Sequence, residues 1–450
     1  MGTRFIEEME NIFLHLDNNS LKRVFVVSFP RFELPKMVEV RQKISAPKLE
    51  DFISEIRKEL SRIDLRGKIQ PGDEIAITAG SRGIAHYPEI LSTVVDEVKK
   101  AGGKPFLVPA MGSHGGATPE GQIAVLRELG ITPETVGAPI RATMEVDEIG
   151  RLENGAPVYV DRNALKADGI IVVNRVKPHT DFKGEIESGL MKMMVIGLGK
   201  QKGAEMIHSY RSEGYHKLLP EAARLILKKL PVILGLAVVE NAYHEIAIVK
   251  AIEPENIEVE EKELLKKAKS LIARLPFKDI DVLIIDEIGK EISGTGMDTN
   301  VVGRFWLPGE SDPLAANIKR IVVLDLTEET HGNAIGIGLA DVTTKRLVDK
   351  INYQVTFVNA LTAGHVEGAK TPVFLPNDRE AITIALRTCG PIDPQEAKVV
   401  RIRNTRDLDR IWISESLLKT LESDPELKER LEILGEPREM QFDVLGNLAR

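Results

Sequence analysis

Residues 74–120 read EIAITAGSRGIAHYPEILSTVVDEVKKAGGKPFLVPAMGSHGGATPE, and this stretch decides the fold. Glu74 to Thr78 is an apolar run of strand length, closed by the turn Gly80-Ser81-Arg82-Gly83. From Pro88 to Ala101, Ile90, Leu91, Val94, Val95 and Val98 recur at helical spacing and form one apolar face. Pro105 to Pro109 is a second strand-length run, ending in Met111-Gly112-Ser113-His114-Gly115-Gly116. Thr118-Pro119-Glu120 then opens another helix, with Thr as N-cap and Pro where its missing N–H costs nothing. Strand, loop and helix repeated in this way predict an α/β fold with a mostly parallel sheet and helices on its faces.

Working outward, Gly169 to Asn174 (GIIVVN) is a further strand, followed by Arg175 to His179. In such sheets ligands sit at the carboxyl ends of the strands. Three of these ends carry Arg82, His114 and His179. Pro254 to Ala273 interleaves Glu260, Glu261, Lys262 and Lys266 with Leu and Ile, and reads as a solvated helix bridging two domains. A second α/β unit begins at Asp281 to Asp286 (DVLIID) and continues through Ile321 to Leu326, with a glycine-rich loop from Ser293 to Asp298. The expectation is two α/β domains, residues 1–275 and 276–450, with the active site in the cleft between them. No internal repeat or low-complexity segment interrupts them.

Composition narrows the class. The 450 residues are 43% hydrophobic and 28% charged, a globular balance, and the formal charge of −8 argues against a nucleic-acid surface. One cysteine, Cys389, excludes an intrachain disulfide and a thiolate zinc cluster. Met1 to Asn19 mixes Glu7, Glu8, Glu10 and Asp17 into its apolar residues, unlike a signal peptide, and no apolar stretch reaches the roughly 18–20 residues of a membrane span. A cytoplasmic chain without nucleic-acid or membrane partners is expected. Nucleotide-binding Gly-x-Gly-x-x-Gly in a strand–helix context, the phosphate loop and the serine nucleophile elbow are all missing, as is a pair of histidines one helical turn apart.

The chemistry concentrates in two places. His114 sits in a glycine-rich loop before a helix N-terminus, a setting that suits an anion, though a turn can also hold an incidental histidine. Residues 178–210, PHTDFKGEIESGLMKMMVIGLGKQKGAEMIHSY, carry His179, Asp181, Lys183, Glu185, Glu187, Lys192 and His208. Lys192 is the one polar residue in the apolar run from Leu190 to Leu198. It is either a snorkelling surface lysine or, if buried, an amine with a lowered pKa and usable as a nucleophile. His208 is either a metal ligand or a helix histidine satisfied by its neighbours. Lys183, Lys200 and Lys202 lie among polar or glycine residues and read as solvated.

Taken in order, these elements resemble the nickel-pincer lactate racemase family. Ser188-Gly189-Leu190-Met191-Lys192 matches the family's Ser-Gly-x-x-Lys element, Gly197 falls where the family has a glycine, and His208 where it has its metal-binding histidine. His114, followed by Thr118-Pro119-Glu120, looks like the first catalytic histidine, and Arg82 in Gly80-Ser81-Arg82 like the substrate-carboxylate arginine. The resemblance implies a racemase or epimerase of a 2-hydroxy acid working by hydride transfer. It implies a nickel-pincer nucleotide held covalently by Lys192, with Ser188 and Gly189 beside it, His208 on the metal, and His114 and His179 as paired bases. Cofactor-assembly enzymes are then implied partners.

The chain also departs from that pattern. Ala79 and Gly80 stand where an acidic residue is usual, and Gly115 replaces an arginine. Met297-Asp298-Thr299-Asn300 is similar to the family, but the Gln and Lys expected downstream appear as Gly303 and Trp306, with Arg304 close by. Gly115 and Gly303 are expected to open the pocket, and Arg304 and Trp306 to close over a substrate longer or more polar than lactate, such as a sugar acid or a dicarboxylate. Two other readings stay open: a metal-dependent lyase or hydrolase of sugar acids using His114, His179 and Glu185, and a cofactor-free binding protein on the same fold. His331 and His365 are left without a role.

Overall fold

The computed structural model describes residues 32–449 apart from positions 308 and 365. The readings of Met1 to Asn19 and of His365 lie outside the described residues. A five-stranded sheet runs in the order Lys104–Pro109, Glu74–Ala79, Gly169–Arg175, Val232–Glu240, Ile246–Ile252. The first four are parallel and the last is antiparallel. The anticipated helix spans Tyr87–Lys100. Thr118 caps the next one by accepting the Gly121 N–H at 3.1 Å. Ile170 to Val173 are wholly buried because helices cover both faces, which is why this strand reads as an unbroken apolar run. Phe52–Arg62 and Tyr87–Lys100 pack on one side; the Leu190–Lys192, Leu219–Lys229 and Ile257–Leu271 helices pack on the other.

The Ile257–Leu271 helix corrects one expectation. It does not cross solvent as a bridge. Ile257, Glu261, Leu264, Leu265 and Ala268 are buried on one face, which packs against the Val232–Glu240 strand and the Leu190–Lys192 turn. The lysines and remaining glutamates occupy the opposite face, so the segment is an ordinary amphipathic helix of the first sheet.

The second sheet has eight strands in the order Val373–Leu375, Val342–Thr344, Asn317–Val323, Asp279–Ile285, Val399–Ile402, Arg410–Ser414, Met37–Gln42, Leu431–Ile433. Its first five strands are parallel and the rest antiparallel. Met37–Gln42 therefore belongs to the sheet of the C-terminal half, where Val40 pairs with both Ile411 and Ile433. Sequence order placed it with the first unit. Its alternation of buried and half-buried residues is that of any strand and does not name its partner.

The two sheets face each other through the loops at their strands' carboxyl ends. Thr299 donates to the Thr180 carbonyl at 2.5 Å, the Lys183 N–H donates to Glu310 at 2.7 Å, and Glu310 meets His216 at 2.6 Å. Among the described residues no helix is long and apolar enough to cross a membrane.

Candidate active site

A cavity of about 460 Å³ lies where these loops meet. The first sheet contributes the loops after Glu74–Ala79, Lys104–Pro109 and Gly169–Arg175; the second contributes Lys290, Gly294, Thr295 and Asn359. Arg82, His114, His179, Ser188, Lys192 and His208, all singled out in the sequence, line this one space. A side chain at Gly294 would stand 2.8 Å from the Arg82 guanidinium, so the second unit reaches the arginine through bare backbone.

His114 is oriented by its own loop. Its Nδ1–H donates to the Met111 carbonyl at 2.8 Å, which leaves the Nε2 lone pair available in the neutral ring. Burial, and then the charge of Arg82, pull its pKa down to about 4, so the ring is neutral at pH 7. Behind it, Gln122 donates to the Gly112 carbonyl at 3.0 Å and accepts from Lys200 at 3.0 Å.

His179 and Lys192 touch. The Asp181 N–H donates to His179 Nδ1 at 3.0 Å, and His179 Nε2 meets Lys192 Nζ. A neutral imidazole whose Nδ1 accepts carries its proton on Nε2, so the lysine must accept that proton as an uncharged amine. The electrostatics run in the same direction: burial brings Lys192 down to about 8, so its uncharged form is reached far more readily than that of an ordinary lysine, and burial together with Lys192 holds His179 well below the usual histidine value. Lys192 lies at the end of the Leu190–Lys192 turn, which passes into a wider π turn, Met193–Gly197. Glu261 anchors the start of this element by accepting the Met191 N–H at 3.0 Å. Such an amine can be acylated without a separate base. His208 lies on the Lys200–Ser209 helix with its ring 5.8 Å from that of Tyr215, which in turn lies 6.1 Å from His179. Among the described residues no group of three or more His, Cys, Asp or Glu side chains is placed to hold a metal alone.

Several lining residues escaped the sequence reading. Lys177 and Lys290 face the cavity with Arg82 and Arg175, and Asp181 is the one carboxylate in the lining among the described residues. Arg175 pairs with Glu240. Neighbouring Arg175, and then burial, pull Lys177 down to about 7; burial and Arg82 bring Lys290 to about 8. Lys290 donates to the Asn359 side-chain oxygen. The strand-end rule that found His179 also covers Lys177, two residues earlier, and applied to Asp279–Ile285 it points to Lys290. Asn359 lies on the Tyr353–Ala363 helix and has no such signal.

Other assignments are not brought together. Gly189 lies outside the lining, where its carbonyl accepts from Asn174 at 2.7 Å. Arg304 and Trp306 also lie away from the cavity. Arg304 is held by Asp341 at 2.7 Å and the Leu339 carbonyl at 2.7 Å, and Trp306 is a core residue of the second unit. Gly303 lies away from the cavity, and Gly115 lines it but is there for a backbone contact. A Cβ on Gly115 would fall 2.4 Å from the Gly121 backbone, and one on Gly303 2.6 Å from the Ala316 carbonyl. Both serve close backbone contacts at positive φ. Glu185 is 81% exposed and paired with Lys262, so it is no part of a site with His114 and His179. Lys200 and Lys183 are not solvated: Lys200 is fully buried against Asp161, and Lys183 is held by Asn300 and the His179 carbonyl.

Residues 28–214 match the family model of the lactate racemase N-terminal domain, so this stretch of the chain is similar to that domain. A solved structure, the lactate racemase apoprotein from Thermoanaerobacterium thermosaccharolyticum, superposes with a TM-score of 0.49 at 13% identity, over 82% of this chain and 94% of that one. No curated protein matches this chain.

Proposed function

We propose that this protein is a racemase or epimerase of a 2-hydroxy acid that uses a nickel-pincer nucleotide tethered to Lys192. The observation that carries the reading is the His179–Lys192 contact, a buried amine of lowered pKa facing a cavity shared with Arg82, His114 and His208. The residues fit the group. Lys192 supplies the acyl acceptor, Ser188 lies beside the tether, and His208 offers one imidazole donor. A pincer that brings its own sulfur and carbon donors suits a lining with a single metal-directed histidine and no cysteine. When bound, the group supplies an acceptor for the α-hydrogen as hydride.

The chain's own residues do the rest. Arg82 holds the carboxylate by charge-assisted hydrogen bonds, with Lys290 adding charge beside it. His114, its Nε2 lone pair free, takes the hydroxyl proton. A carboxylate on Arg82 offsets one of the charges that depress His114 and so strengthens it as a base. His179 stands for the opposite stereoisomer and is released for proton transfer once the Lys192 nitrogen is acylated. The first unit is then the catalytic and cofactor-binding domain, and the second closes the cleft. Each of His114→Ala and His179→Ala is expected to lower turnover in both directions by on the order of 10²–10⁴-fold with nickel retained. Full activity in either nickel-loaded variant would end the paired-base scheme.

A further inference from the structure

Five basic side chains, Arg82, Arg175, Lys177, Lys192 and Lys290, line the cavity with the single carboxylate Asp181 among the described residues. Two of them are accounted for within the protein: Arg175 pairs with Glu240, and Lys192 meets His179 as an amine. Lys290 has the Asn359 amide oxygen, and Arg82 is the natural seat of a first carboxylate. Lys177 is left over. Its backbone is fixed by a two-way antiparallel bridge to Ser188, with the Lys177 N–H donating at 2.9 Å and the Ser188 N–H at 3.3 Å, so the two side chains share a face, and both residues line the cavity. Among the described residues its amine makes no hydrogen bond or ion pair; Asp298 and Glu240 attract it from farther off, while Arg175 and Arg82 repel it. With its pKa at about 7 the amine is only partly protonated at neutral pH, and a ligand that brings a countercharge would hold it as a cation.

Building on the reading above, we propose that the substrate is a dicarboxylic 2-hydroxy acid whose second carboxylate is received by Lys177 while the first is held at Arg82. A monocarboxylate neutralises Arg82 and leaves Lys177 exposed to the repulsion of Arg82 and Arg175; a dicarboxylate answers both. An uncharged sugar-acid tail offers Lys177 only neutral acceptors, which make weaker hydrogen bonds to a cation.

Calorimetric titration of the cofactor-free chain at pH 7 tests this without any turnover, so its outcome is separate from whether the protein racemises anything. Malate is expected to bind on the order of tenfold or more tighter than lactate. That gap should close in Lys177→Met, whose fold is checked by circular dichroism, and persist in Lys177→Arg. Equal binding of malate and lactate by the wild type, no malate binding at 10 mM (roughly the weak limit of such titrations), or a gap unchanged in Lys177→Met would each overturn the proposal. Nicotinate mononucleotide forms the last arm. If it removes the malate–lactate gap while nicotinamide riboside does not, Lys177 serves a nucleotide phosphate and the dicarboxylate assignment is wrong; a gap that survives it supports the assignment.

Discussion

The proton on His179 is placed by a backbone amide: the Asp181 N–H occupies Nδ1, so the ring's one hydrogen points from Nε2 to Lys192. With its pKa brought down to about 8, Lys192 keeps a substantial uncharged fraction at neutral pH, where an ordinary lysine near 10.5 keeps almost none. Acylation of Lys192 by a small amine-directed reagent should rise through a midpoint near pH 8, read by peptide mass mapping. A Lys192 that stays unreactive until pH 10 would show that burial does not lower its pKa. At this scale much of the site was legible. Arg82, His114 and His179 follow from strand ends, and Lys192 and His208 from the family resemblance carried by the Ser188–Lys192 element. Lys177 and Lys290 were within reach of the same rule. Arg304 was not: its partner Asp341 is a neighbour only in the folded chain, and an arginine's charge alone does not say whether it meets a substrate or an aspartate.

At the scale of elements, one buried lysine joins three of them. Lys200, at the start of the helix that carries His208, meets Asp161 at 3.1 Å, the Pro109 carbonyl at the end of a strand, and Gln122 behind the His114 loop. Both charges of the pair are fully buried, and burial works against both, raising Asp161 and lowering Lys200. Removing one partner leaves the other uncompensated, so Lys200→Met is expected to cost about 3–5 kcal/mol in urea unfolding. Combining it with Asp161→Asn should recover part of that loss. A Lys200→Met protein as stable as the wild type would mean that the pair holds nothing. Here sequence and structure diverge for a clear reason. Apolar periodicity gave the Tyr87–Lys100 helix and the Glu74–Ala79 and Gly169–Arg175 strands, because local burial follows local spacing. It misread Lys200 as solvated, because neighbouring glycines and a glutamine say nothing of an aspartate brought in from another strand–helix junction.

For the whole molecule, the parallel strands of both sheets were legible, and so was the convergence of strand ends on a single site. The place of Met37–Gln42 was not, since a strand's pattern sets which face is buried but not which distant strand lies beside it. The second sheet matters to the site through specific contacts. Asn300 donates to the His179 carbonyl at 3.4 Å and accepts from Lys183, while Lys290 brings a charge into the cavity. In the proposed function these contacts keep the His179 loop fixed beside the tether. The most direct measurement of that function is the peptide mass map, with nickel content, of the protein produced together with pincer-assembly enzymes. The account predicts a nucleotide-derived adduct on the peptide containing Lys192, accompanied by nickel. An adduct on Lys177, Lys183 or Lys200 instead, or an unmodified Lys192 peptide under those conditions, would contradict it.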